Sequence, residues 1–365
     1  MPTLAEVRAQ LTGPGGMFEV VTEDVGGRPM QVYAQRMRSL REILEAAAAR
    51  GDESTFLTYG DREYGFRTFV REANGVARAL AGGYGIGHGD RVAVLSQNNP
   101  EWCLAFWATV AQGAILVGLN GWWKADEILY GLQDSGAAVL VADRKRFERI
   151  ADRLGEAPAL AHVFLIDAGP EDFPGVEGAA LHRFDELTTG PTDELPATPI
   201  DEDDAAVIFY TSGTTGKPKG AISTHRSMIA NLQNTIWSTV AAAMVNPAAA
   251  VLPGGGTPTV SLLTSPLFHV SGCHSGLVVG LLAGIQIVIP AGRFDPMAAL
   301  ELIQDHKVTV WATVPTMVWR VCEHPARHDY DTSSVTTVAF GGSPSADELQ
   351  RKVAETFPNI RSTTN

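Results

Sequence analysis

Short apolar runs alternate with amphipathic stretches along most of the chain, and no other feature restricts its fold as strongly. Residues 67–81 carry Phe69, Ala73, Val76, Ala77 and Leu80 at the spacing of one helix face. A strand over 91–95 follows, then helix 100–112 opened by Pro100, strand 114–119, helix 125–134, strand 137–142, helix 145–155 and strand 162–166. The alternation resumes with strand 205–210, helix 224–244 capped by Thr224, strand 261–266, helix 276–282 and strand 285–289. Helix 296–306, strand 308–313, a helix opening at Val314-Pro315-Thr316, strand 336–340 and helix 346–357 complete it. Strands and helices taken in turn predict an α/β fold, with mostly parallel sheet covered by helices.

Before this run, a helix over 40–49 and a hairpin around Gly60-Asp61 are expected, and residues 1–38 read as an irregular leader. The connector 167–204 has charges, prolines and glycines but no periodicity. It predicts a boundary between subdomains at 39–190 and 200–365. Residues 246–259, with three consecutive glycines, read as an irregular loop.

Strand 205–210 breaks into Thr211-Ser212-Gly213-Thr214-Thr215-Gly216-Lys217-Pro218-Lys219-Gly220. Four hydroxyls, two lysines and the backbone N–H groups of a glycine-rich turn can converge on one point, which is the chemistry of a polyphosphate cradle. A Walker A loop needs four residues between its glycine and the Gly-Lys pair, whereas Gly213 and Gly216 enclose two, so this is another type of phosphate loop. A plain strand-to-helix turn explains the glycines but not both lysines and all the hydroxyls.

The run Tyr210 to Gly220 resembles the phosphate loop of the adenylate-forming superfamily, which includes acyl-CoA synthetases, peptide-synthetase adenylation domains and firefly luciferases. The resemblance extends from about Leu40 to the last residue. It implies the large N-terminal domain of that fold, with two mostly parallel sheets and flanking helices, and the small C-terminal lid absent. It implies ATP held by Thr211, Ser212, Gly213, Thr214, Thr215, Gly216, Lys217 and Lys219, with Lys219 among the catalytic groups and Thr211 a ligand to Mg²⁺. Pro266-Leu267-Phe268-His269 is similar to the family segment between carboxylate and phosphates, so His269 is expected to position the acid. Gly341-Gly342-Ser343-Pro344 resembles the turn between adenine and the acyl pocket, with Ser343 touching both. Val314 and Pro315 match a segment bordering that pocket.

These residues imply an acid–CoA ligase, with ATP, Mg²⁺ and CoA required and a carboxylic, expectedly fatty, acid as substrate. The glycine- and alanine-rich stretch near 276–283 could line an apolar tunnel for it. The alternatives are adenylation for a carrier protein and a catalytically incompetent nucleotide- or acyl-binding domain. The chain stops before the family's Gly-Tyr-Gly-x-Thr-Glu motif, and lacks the later ribose-binding aspartate and catalytic lysine. It therefore reads as a truncated or split N-terminal part, weak or inactive alone and open to a separate C-terminal chain.

Other readings fall away. The net charge of −13 argues against nucleic acid as a partner. Cys103, Cys273 and Cys322 are too scattered for a disulfide framework, which fits a reducing cytoplasm, and His269, Cys273 and His274 match no zinc spacing. The glycines of 82–89 precede a strand rather than follow one, so they are not a dinucleotide loop. Ser345 stands where a nucleophile elbow needs glycine. No secretory signal or membrane-spanning stretch is visible. Trp122-Trp123 is an unusual pair that could pack in a core edge or mark an interface.

Overall fold

The computed structural model describes residues 2–51, 53–211, 216–246, 258–340 and 347–364. In chain order these form α1 (Leu4–Thr12), β1 (Val20–Val25), β2 (Arg28–Tyr33), α2 (Leu40–Ala49), β3 (Thr55–Tyr59), β4 (Arg62–Gly65) and α3 (Phe66–Tyr84). β5 (Arg91–Leu95), α4 (Pro100–Ala111), β6 (Ile115–Gly118), α5 (Ala125–Ser135), β7 (Val139–Asp143), α6 (Arg144–Phe147), β8 (His162–Ile166) and β9 (Ala180–Arg183) follow. Next come β10 (Ala205–Thr211), β11 (Lys219–Thr224), α7 (His225–Val245), β12 (Val260–Leu263), α8 (Val270–Gly272) and α9 (Val279–Ala283). The last are β13 (Gln286–Ile289), α10 (Pro296–Asp305), β14 (Val310–Thr313), α11 (Pro315–Cys322), β15 (Thr337–Phe340), α12 (Asp347–Thr356) and β16 (Ser362–Thr364).

Two seven-stranded sheets carry the molecule, ordered β11-β10-β6-β5-β7-β8-β9 and β16-β15-β14-β12-β13-β3-β4. Each is parallel except for one antiparallel pair at an edge, β10 with β11 and β3 with β4. Side chains alternate along each strand, so β5 sends Val92 and Val94 to one face and Ala93 and Leu95 to the other. The first pair joins a cluster that also takes Leu57, Leu263 and Ile287 from the second sheet. Helices α2, α3 and α4 fill that shared layer. α4 is buried along its length except at Glu101, which pairs with Arg62, and Asn99 caps it by accepting from the Trp102 N–H at 2.8 Å. α5 and α6 cover the outer face of the first sheet, while α10, α11 and α12 cover that of the second.

The sheets do not divide at the connector 167–204. β10 and β11, from the second half, extend the first sheet, and β3 and β4, from the first half, extend the second. Strand pairing is set by register between distant segments, which a pass along the chain cannot see. The leader is not irregular: a Thr3–Glu6 capping box starts α1, and the β1–β2 hairpin turns at Gly26-Gly27, both at positive φ. The helix expected over 145–155 splits into α6 and a 3₁₀ turn over Ala151–Glu156, where Arg146 and Arg149 reach back to the Gly121 and Trp123 carbonyls. Strands β9, β11 and β16 were not anticipated. Most of the loop 246–259 lies outside the described residues.

Candidate adenylation site

Parallel α/β sheets offer ligands the space beyond the carboxyl ends of their strands. β10 of the first sheet ends there at Thr211, and β12, β14 and β15 of the second end at Leu263, Thr313 and Phe340. Each segment singled out in the sequence leaves one of these ends. Ser212, Gly213, Thr214 and Thr215, and Gly341, Gly342, Ser343 and Pro344, lie outside the described residues.

The loop that the sequence marks for phosphate connects two antiparallel strands, β10 and β11, rather than a strand and a helix. Thr211 pairs with Lys219 across its mouth, and the Thr211 hydroxyl donates to the Lys219 carbonyl at 3.3 Å. Both residues are exposed, as are Gly216 and Lys217. Gly216 has φ of 113°, a conformation that favours glycine. Gly220 lies opposite Tyr210, and a Cβ there would stand 2.9 Å from Ile208 Cγ2. The Lys217 ammonium sits 4.8 Å from the centre of the Tyr130 ring.

α5 braces the strand that feeds this loop. Tyr210 is buried; its hydroxyl donates to Asp134 at 2.8 Å and lies 3.2 Å from the Gly131 carbonyl. Burial, reinforced by that carboxylate, raises the phenol's pKa, so it stays protonated as the donor. Trp123 packs edge-on to the same ring at 5.3 Å. Trp122, its neighbour, is exposed and stands edge-on to Phe268 at 5.2 Å. The tryptophan pair thus braces the phosphate strand with one ring and the His269 segment with the other.

His269 follows Phe268, their rings 4.7 Å apart, and opens α8, which continues through a π-helical turn, Cys273–Val278, into α9. The helix expected from 276 therefore starts at Val270. A Cβ on Gly272 would overlap the Pro266 carbonyl oxygen, so only glycine lets the segment fold back so tightly. Burial lowers the pKa of the half-buried His269, and the ring is neutral at neutral pH. Asn98, beyond the end of β5, clamps the segment: its amide donates to the Ser265 carbonyl at 2.8 Å and accepts from the Leu267 N–H at 2.9 Å. Gly118 closes the contact between sheets, since a Cβ there would stand 2.6 Å from the Phe209 ring and 3.4 Å from Phe268 Cα.

Val314 and Pro315 are half-buried at the start of α11. They are tied to the strand leading to His269, because the Thr264 hydroxyl donates to that of Thr313 at 2.6 Å. The structure thus joins the phosphate strand to the His269 segment through Phe209 and Gly118, and that segment to Val314 through Thr264. Asn98 and Gly118 were missed in the sequence. Asn98 sits in Gln97-Asn98-Asn99-Pro100, where helix-start chemistry masks any other role.

The chemistry of the described donors fits a nucleotide triphosphate: two exposed ammonium groups and one hydroxyl beside a glycine that frees the backbone. Thr211 fits a Mg²⁺ ion held mainly by phosphates, because Mg²⁺ takes few protein ligands and its hydroxyl oxygen keeps lone pairs free. Among the described residues no group of three His, Cys, Asp or Glu side chains could hold a metal by itself, so His269, Cys273 and His274 form no such site. No helix among them is long and apolar enough to cross a membrane.

The family model of the AMP-binding enzyme matches residues 44–364. The chain is 32% identical to 4-coumarate–CoA ligase 2 of Petroselinum crispum over 289 residues, which are 78% of this chain and 49% of that protein. It spans about half the length of such curated relatives. The anthranilate CoA ligase AuaEII in complex with anthranoyl-AMP superposes with a TM-score of 0.74 at 26% identity, covering 89% of this chain and 59% of that one. The N-terminal domain of FACL13 from Mycobacterium tuberculosis shares the fold, with a TM-score of 0.73 at 24% identity over 89% of this chain and 74% of that domain. A family-model match running from the middle of α2 to β16, with a fold shared over 89% of the chain, places the chain among the AMP-binding enzymes of the adenylate-forming superfamily.

Proposed function

We propose that this chain provides the ATP- and acid-binding part of an acid–CoA ligase, in which a carboxylate attacks the α-phosphate of ATP, expelling pyrophosphate to give an acyl-adenylate, and the CoA thiol then displaces AMP to give the acyl-CoA. The observation that carries this reading is the junction of the β10–β11 hairpin with the His269 segment through Phe209, Gly118 and Phe268. It fixes a phosphate cradle and a carboxylate-orienting group on one rigid frame, and positioning of reactants is a large part of such catalysis.

Lys217 and Lys219 offset the charge of the polyphosphate, and Thr211 supplies the hydroxyl that would share in holding Mg²⁺, whose chemistry is to neutralise charge on the phosphates. A neutral His269 can hydrogen-bond to the acid without fixing it as an ion pair, which leaves the carboxylate free to attack. Val314 and Pro315, at the start of α11, border the acid on the second sheet.

We infer an aromatic monocarboxylic acid as the substrate class, supported by relatives whose names specify 4-coumarate and anthranilate. A fatty acid is the second reading, supported by the apolar stretch through α9 that could accept an alkyl chain. ATP–pyrophosphate exchange with hydroxycinnamic, benzoic and fatty acids tests both. The chain would be assayed alone and with the family's C-terminal domain supplied as a second polypeptide. Exchange that depends on an aromatic acid supports the proposal, and exchange with fatty acids alone replaces the substrate class. No exchange from two folded, associating chains leaves a domain that only binds nucleotide or acid. Release of AMP on adding CoA, rather than a carrier protein, identifies the acceptor.

A further inference from the structure

The first sheet ends at β9, a four-residue edge strand none of whose side chains is fully buried. A pair of histidines that the adenylation site does not use ties it to β8. His182 of β9 lies opposite Phe164 and meets the ring of His162, the first residue of β8. His162 Nδ1 and His182 Nε2 stand 3.2 Å apart, a hydrogen bond between two imidazoles. Such a bond needs a proton on one nitrogen and a bare lone pair on the other. The Glu186 carboxylate stands 3.5 Å from His182 Nδ1, which favours a proton there. A neutral His182 then accepts at Nε2, and His162 donates.

The pair sits in an aromatic box. Tyr84, at the end of α3, stands edge-on to each imidazole at 5.1 Å and to Phe164 at 4.8 Å. The His182 ring stacks on Phe164 at 5.0 Å. The titratable groups that face the pair are Tyr84, whose phenol burial keeps uncharged, and Glu186, in the 3₁₀ turn over Phe184–Leu187. Glu186 also accepts the Arg183 N–H at 2.9 Å. One carboxylate offsets one imidazolium, not two. A second proton would set N–H against N–H and two cations side by side, with the shared lone pair gone. Burial and the neighbouring imidazole already hold the His162 pKa below its ordinary value, so the closed box refuses protons that an open strand accepts.

We propose that this imidazole pair is an acid-sensitive latch: uptake of a second proton breaks it and frees β9 from β8. Opening turns β8, with four of its five residues buried, into the edge of the sheet, where an apolar strand is a template for pairing with another chain. At the far end of the connector, His88 Nε2 lies 2.7 Å from Asp204, a contact that protonation of His88 strengthens. Acid therefore loosens the β9 end alone. The latch does not depend on the ligase reading.

Native-state hydrogen exchange at pH 7.5, 6.5 and 5.5, corrected for the intrinsic pH dependence of exchange, tests it on the wild-type chain. Protection of the β9 amides is expected to fall, approaching ten-fold for each pH unit below about 6.5, because the open strand binds one more proton than the closed one. Amides of β7, buried along its whole length, are expected to keep theirs. His182→Phe retains an aromatic ring on Phe164 and removes one of the two titrating groups, so its β9 protection is expected not to change with pH. His182→Gln, which offers His162 an uncharged polar partner, is expected to behave alike and decides the matter if His182→Phe fails to fold. Equal β9 protection at pH 7.5 and 5.5 overturns the proposal. So does a fall that β7 shares equally, or one that persists in the folded His182 variants.

Discussion

Asn98 holds Leu267 by its backbone, accepting the Leu267 N–H at 2.9 Å while its own amide donates to the Ser265 carbonyl at 2.8 Å. One side chain at the end of a first-sheet strand thereby sets the path of the segment that presents His269. Asn98→Ala leaves both backbone groups unpaired in a partly buried place, at a cost of about 1–3 kcal/mol. Thermal unfolding is expected to report that loss. Acid affinity is expected to fall further than ATP affinity, because Lys217 and Lys219, proposed to meet the nucleotide, lie on the other side of the junction.

Lys217 and Lys219 are expected to act through charge rather than through the fold, since both are exposed. Replacing either with alanine should leave the unfolding midpoint nearly unchanged and weaken ATP about ten-fold or more, the scale of a hydrogen bond to a charged group. Tyr130→Leu removes the ring under Lys217 and is expected to have a smaller effect on ATP. Nucleotide calorimetry on the three variants checks the order.

Gly272→Ala places a methyl group on the Pro266 carbonyl oxygen, where neither partner is a flexible side chain end. The Pro266–His269 turn must open, at about 1–3 kcal/mol. Lower thermal stability with loss of acid binding is expected, and intact ATP binding would show that the phosphate hairpin survives. An unchanged acid affinity would count against the placement of His269.

His225 and His274 are both buried, and burial lowers each pKa to about 4. An unfolded chain takes up these protons near pH 6.5, whereas the folded one refuses them until about pH 4. The stability of the neutral state is therefore complete above pH 6.5, falls as the pH drops toward 4, and falls no further below that. Each histidine contributes on the order of 3 kcal/mol to the change across this window. His225 Nδ1 accepts from the Leu40 N–H at 3.1 Å, so His225→Asn can keep that bond while removing the titration. Denaturant unfolding from pH 4 to 8 is expected to show a flatter profile in His225→Asn and His274→Phe.

The alternation of strand and helix was legible because burial on both faces makes parallel strands continuous apolar runs, as in β7 and β8, and because periodic helices such as α3 show their core face. β11 was not legible. It is an exposed edge strand of Lys219, Gly220, a single large apolar residue, Ile222, and small residues, and its pairing with β10 supplies what its composition does not. α1 and the β1–β2 hairpin were lost for a similar reason: each is short, and their order comes from a cap, two glycines and contact with α7.

Alone, the sequence determined the chemistry on offer: lysines and hydroxyls in a glycine-rich loop after an apolar strand, and a histidine after another. Those are local properties of residue type and order. The tertiary structure decided which strands share a sheet, so that β10 joins the first sheet although its residues lie in the second half. It also brought Gly118 and Phe209 against Phe268, and Asn98 to the backbone of Leu267. Hydrogen-bond register and close packing act between segments 90 to 170 positions apart in the chain, and no local pattern of residues carries that information.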